Sequence, residues 1–213
     1  MHIGLIGAGQ VAQAFARKAI DAGHHIVFSN SRGPDSLAAL AAGFGPQASA
    51  GTVLEALEQP MVLLALPWPR VEAALRALPP WRGQILIDAS NAFAGAGQGD
   101  PVAVAGAGTS SERVAALAPG ARVVKAINAI FMVNFEKPPV VGGMRRVAFV
   151  SGDDRAAKAT VADLLESFGF APVDLGALHA GGRIQGVGAP IAGHDFFLPW
   201  PAPRSFPFSF PAE

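Results

Sequence analysis

The chain has 213 residues, a formal net charge of zero and no cysteine. Balanced charge with only four lysines leaves no basic surface of the kind that sequence-independent nucleic-acid binding needs. The missing cysteine excludes a disulfide frame, a thiolate zinc site and a Cys nucleophile.

Hydrophobic residues make up 51% of the chain and charged residues 15%, a composition that supports a core and argues against disorder for most of the length. The length suits one domain, or one domain with a small appendage. The first fifteen residues lack the charged and long apolar regions of a signal peptide. No apolar run of about 18 residues is free of Gly, Pro or charge. A cytoplasmic protein with no membrane and no nucleic-acid partner is the expectation.

In chain order, residues 2–7 form an apolar run that ends in glycine and read as a buried strand. Residues 10–22 place Val11, Phe15, Ala19 and Ile20 at helical spacing, with Gly23 as the cap beyond. A second strand is expected over 25–29 and a short helix over 35–42. Thr52 and Glu55 have the spacing of a capping box and start a brief helix. A strand over 61–66 ends at Pro67, and Pro69 opens a helix through Ala77. Residues 85–88 read as a strand. Thr109 and Glu112 suggest a second capping box, for a helix to Leu117. Strands over 123–127 and 146–151 precede a helix that Asp153 or Asp154 caps and that runs through Phe168. A last strand is expected over 171–175.

Strands alternating with helices, with strands that are continuous apolar runs, predict a doubly wound α/β fold with a mostly parallel Rossmann sheet. Residues 92–108 are rich in Gly and Ala, carry one charge and read as a flexible loop. The nucleotide-binding domain is placed at 1–182. A C-terminal extension follows at 183–213, with five phenylalanines and five prolines from His194 onward and no helix or strand period. Its aromatic content predicts packing on the domain or on a partner in a homodimer.

Gly7, Gly9 and Ala12 give the pattern G-x-G-x-x-A, which leaves a strand and opens a helix. Gly7 serves the tight turn, Gly9 lets backbone approach a pyrophosphate, and Ala12 lets the helix pack closely. The free amides at the helix start, about Gln10 and Val11, face the phosphates. The competing reading is an ordinary glycine turn. NAD-binding chains end the second strand in Asp or Glu, whereas this one continues Ser29, Asn30, Ser31, Arg32. Two hydroxyls, an amide and a guanidinium suit a 2′-phosphate, so NADP(H) is favoured. The same residues also make good turn sequence.

The stretches 3–16, 29–37, 62–68, 85–91, 121–128 and 150–176 resemble the coenzyme F420-dependent NADP oxidoreductase family, its short bacterial members in particular. The resemblance runs to about Arg183. It implies that Ser29, Ser31 and Arg32 contact the 2′-phosphate. It implies further that Leu66, Pro67 and Trp68 run beside the ribose and nicotinamide, and that Asn91 and Asn128 border the nicotinamide. Archaeal members usually have histidine at the position of Asn128, and they end in helices that Pro199, Pro201, Pro203 and Pro207 exclude here.

The reaction implied is hydride transfer between NADP(H) and a planar small-molecule acceptor, such as F420. Alternatives are an NADPH-dependent flavin, ferric or quinone reductase, with F420 or flavin as co-substrate, and a non-catalytic NADP(H)-binding redox sensor. No residue stands out as a catalytic acid or base. Asn91, Asn128 and Arg183 are the acceptor-pocket candidates, and an exposed arginine with no ligand is the competing reading of Arg183. Lys125 invites a general-acid reading, but an ion-paired, structural lysine fits its place inside a strand better. Trp68 is read as packing between helix and sheet rather than on a ring. No histidine pair has metal-binding helical spacing, so no metal site is expected.

Overall fold

The computed structural model describes residues 1–94, 101–102 and 108–201. Strand β1 (His2–Ile6) feeds helix α1 (Gln10–Asp21), and β2 (His25–Ser29) follows. A 3-10 turn (Pro34–Leu37) runs into α2 (Ala38–Gly43) and a short β3 (Ala48–Ala50). Next come α3 (Val53–Leu57), β4 (Met61–Leu64), α4 (Trp68–Arg76) and β5 (Ile85–Asp88). Helix α5 (Ser110–Leu117) leads to β6 (Arg122–Ala126). The remainder is α6 (Met132–Glu136), β7 (Val140–Val141), β8 (Met144–Gly152), α7 (Arg155–Ser167), β9 (Ala171–Asp174), α8 (Leu178–Gln185) and β10 (Phe197–Pro199).

Six strands are parallel, in the order β3-β2-β1-β4-β5-β6. This is the doubly wound Rossmann order, with its switch point between β1 and β4. All of β4 is buried because both sheet faces are covered. Met61 and Leu63 join α1 and α7 in one core, while Val62 and Leu64 join α4 and α5 in the other. Side chains alternate across a strand, so a continuous apolar run serves two layers of helices at once.

The sheet then leaves the parallel pattern. Strand β8 runs antiparallel to β6, pairs parallel with β9, and receives β7 and β10 on its first residues. The sequence reading missed β3, α6, β7, α8 and β10. Helix α8 contains Gly181 and Gly182, which argue against a helix by propensity. Tertiary contact requires them: a Cβ at Gly181 would press on Ser151, and one at Gly182 on Thr109.

The expected extension 183–213 therefore begins inside α8, and its next part adds an edge strand. Pro199 is tolerated in β10 because a strand at the edge leaves its amide side unpaired. Arg146, buried on β8, anchors this segment through Asp195 at 2.7 Å. The centre of the loop expected at 92–108 and the Phe-rich residues 202–213 lie outside the described residues. Among the described residues no helix is long and apolar enough to cross a membrane.

Candidate active site

Register brings the carboxyl ends of the parallel strands level. Ile6 pairs with Ser29 on one side and Leu64 on the other, Leu64 with Asp88, and Asp88 with Lys125. The residues just beyond these ends converge on one crevice of about 800 Å³.

Gly7 makes the turn out of β1 at φ +112°, and a Cβ there would overlap the Ala65 carbonyl. Gly9 is the N-cap of α1 with open space where a side chain would stand. No side chain caps this helix and no acid lies in its first turn, whereas Thr52 and Thr109 close α3 and α5 with full capping boxes. Helices α2, α4, α6 and α8 lack a side-chain cap as well; at α1 the amides about Gln10 and Val11 stand beside the open space at Gly9, where the positive end of the helix favours an anion. Gly9, Gln10 and Val11 line the crevice.

The turn after β2 departs in part from expectation. Ser29 is fully buried, and its hydroxyl donates to the Leu5 carbonyl at 2.6 Å. It ties β2 to β1 and does not present a donor to a ligand. Asn30 shapes the turn, because its Oδ1 accepts from the Arg32 amide at 2.8 Å and its Nδ2 donates to Ser36. Ser31 and Arg32 are exposed, and Arg32 has no ion-pair partner among the described residues. Neither residue is among those that line the crevice.

Leu66, Pro67 and Trp68 form one wall, and Trp68 also packs on the core beside α4. Asn91 and Asn128 meet across the floor. Asn91 Nδ2 donates to the Asn128 carbonyl at 3.0 Å, and Asn128 Nδ2 donates to Asn91 Oδ1 at 3.2 Å and to the Gln185 carbonyl at 2.7 Å. Ile127 precedes Asn128 with φ +70°, a conformation rare for a β-branched residue. Strain of this kind, worth about 1–3 kcal/mol, persists where surrounding packing dictates it. Here the residue is buried, and the turn it makes aims Asn128 at Asn91.

Arg183 does not join the site. It is exposed on α8 and is not among the residues that line the crevice, while Gln185 on the same helix is buried. Lys125 is fully buried and paired with Asp88 at 3.4 Å. The sequence reading also missed the far wall, where Ile130, Phe131, Met132, Val133 and Val187 line the crevice. Phe131 and Val133 are 60% and 62% exposed, an apolar rim around the opening. A period-3.6 signal cannot single them out, because α6 is only five residues long. No ionisable side chain is among the described residues that line the crevice.

A glycine turn into a helix without a side-chain cap, beside an uncharged crevice at the switch point, suits a dinucleotide. The sequence profile of the family described as NADP oxidoreductase, coenzyme F420-dependent, matches residues 2–92. A protein of Arthrobacter sp. FB24, named as a candidate F420-dependent NADP reductase, is 30% identical over 83% of this chain and 84% of its own, with a TM-score of 0.67. The chain belongs to the F420-dependent NADP oxidoreductase family.

Two further likenesses extend over most of this family member. Protein SMa0349 of Sinorhizobium meliloti is 37% identical, with a TM-score of 0.85 over 93% of this chain and 96% of its own. Rat metalloreductase STEAP3 is 27% identical over 186 residues, 87% of this chain. This chain spans 36% of the length of that metalloreductase.

Proposed function

We propose that the protein binds NADP(H) along this crevice and moves a hydride between the nicotinamide and a planar acceptor of the F420 type. The observation that carries the reading is the pairing of an open, uncapped α1 N-terminus with a crevice lined by no ionisable group among the described residues. Bound NADPH supplies the hydride. The chain's own residues bind and orient.

The α1 amides hold the pyrophosphate, and Ser31 and Arg32 hold the 2′-phosphate. Leu66–Trp68 form the wall beside the ribose, and the Asn91–Asn128 pair fixes the edge of the nicotinamide. A conjugated ring acceptor takes a hydride without a strong acid from the protein, whereas a carbonyl or imine needs one. Proximity and exclusion of water are then the contributions expected of this site. The exposed ring of Phe131 and the side chain of Val133 give a flat acceptor an apolar surface to cover.

The test is anaerobic NADPH oxidation with F420, FMN and a ferric chelate run in parallel. F420 is expected to turn over fastest. The likeness to the metalloreductase favours the ferric chelate as second reading, and a faster rate with it, or with FMN, would displace F420. Tight NADPH binding with no turnover of any acceptor would overturn catalysis in favour of a redox-sensing module.

A further inference from the structure

Strands β5 and β6 carry one charge each into the core, directly behind the crevice floor. Asp88 and Lys125 are both fully buried and face each other in register. Burying two charges is costly, and a buried pair often contributes no more stability than an apolar pair of equal volume. What the two groups touch is therefore the informative observation.

Asp88 Oδ1 accepts from the Ser90 amide at 2.9 Å and from the Ser90 hydroxyl at 2.6 Å. Lys125 Nζ donates to the Ser90 carbonyl at 3.2 Å. Every polar atom of Ser90 is thus held by the pair. On its other side the pair holds the start of α5. Lys125 Nζ donates to Ser110 Oγ at 3.2 Å, and Ser111 Oγ donates to Asp88 Oδ2. The ammonium has three hydrogens and three partners, Asp88, Ser90 and Ser110, so none is left to protonate a substrate.

The pair joins the two ends of the β5–α5 connection, Ser90 at one and Ser110 with Ser111 at the other. Ser90 and Asn91 line the crevice, Asn91 is bonded to Asn128, and Asn128 lies three residues beyond Lys125 on the same chain path. We propose that Lys125 and Asp88 are positioning residues for the nicotinamide end of the crevice. They fix Ser90, and through it the Asn91–Asn128 amide pair against which the ring is held. This rests on the NADP(H) reading above.

The test uses the full chain with both charges removed together, Lys125→Met with Asp88→Asn, so that neither is left unpaired. Two probes are titrated: NADPH, and adenosine 2′,5′-bisphosphate, which carries the adenine and 2′-phosphate half alone. The double variant is expected to bind the bisphosphate within twofold of wild type and NADPH at least tenfold more weakly. The wild-type complex is expected to show a blue-shifted NADPH emission, and the double variant is expected to lose it. The milder Ser111→Ala, which removes one buried hydrogen bond to Asp88, is expected to lower Tm by several degrees, to stay folded and to move the same two readouts in the same direction, which covers a double variant that fails to fold.

Wild-type affinity ratio and emission in the variants would make the pair a stability element only. Equal weakening of both probes would overturn selective positioning. Wild-type NADPH bound without any emission shift would instead overturn the placement of the nicotinamide, and the proposal with it.

Discussion

Cofactor choice is decided at single residues, and the structure separates two that the sequence treats alike. Arg32 is exposed and unpaired among the described residues, whereas the Ser29 hydroxyl is spent on the Leu5 carbonyl. Arg32→Ala is expected to weaken NADPH binding by roughly ten- to a hundredfold, as loss of a charge-assisted hydrogen bond implies, and to leave NADH binding unchanged. Ser29→Ala is expected to keep the NADPH/NADH preference and to lower stability by about 1 kcal/mol, through the lost buried hydrogen bond. Titrating both cofactors and measuring urea unfolding for each variant checks the contrast. A wild-type NADPH/NADH preference in Arg32→Ala would remove the 2′-phosphate role.

At the scale of elements, helix starts differ in how their free amides are met, and two of them are closed by capping boxes. In α3 and α5 the Glu55 and Glu112 carboxylates accept from the Thr52 and Thr109 amides. Those bonds, the leading cause, hold both carboxyl groups below the usual glutamate range. A carboxyl group whose folded value is depressed contributes stability that is fully present above its unfolded value, about pH 4.3, and lost as pH falls through the folded one. Glu112→Gln is therefore expected to flatten the acid limb of a Tm–pH profile and to leave the profile above about pH 6 parallel to wild type. Thr109→Ala is expected to cost about 1 kcal/mol at neutral pH. An acid limb unchanged in Glu112→Gln would assign it to other carboxylates. Helix α1 has no such cap to lose, which agrees with the phosphate site proposed there.

At the scale of the whole molecule, the sheet closes at one side with β10, held by the Arg146–Asp195 ion pair and by pairing to β8. Phe196, Val140, Val141 and Met144 stand exposed about this edge. Large apolar side chains grouped at a sheet edge are a natural contact between copies. We expect a homodimer by light scattering. Removing residues 202–213, which leaves β10 in place, is expected to raise the dimer dissociation constant at least tenfold. A dimer of unchanged strength would take those residues out of the interface, and a monomeric full chain would end the dimer reading.

The sequence by itself determined most of the parallel half of the fold and the Gly7 turn into α1. Those signals are local: unbroken apolar strands, the G-x-G-x-x-A spacing and two capping boxes lie within a few residues of one another. The antiparallel departure at β8, the glycine-bearing α8 and the edge strand β10 were not legible, because their stability comes from partners distant in the chain. The same divide runs through the site. Gly7, Gly9, Leu66, Trp68, Asn91 and Asn128 reach the strand ends by position alone. Where Ser29 points, how Ile127 turns Asn128 inward and what Lys125 holds were decided only by tertiary structure. Each depends on a group 24 or more residues away in the chain or on a backbone angle that packing imposes.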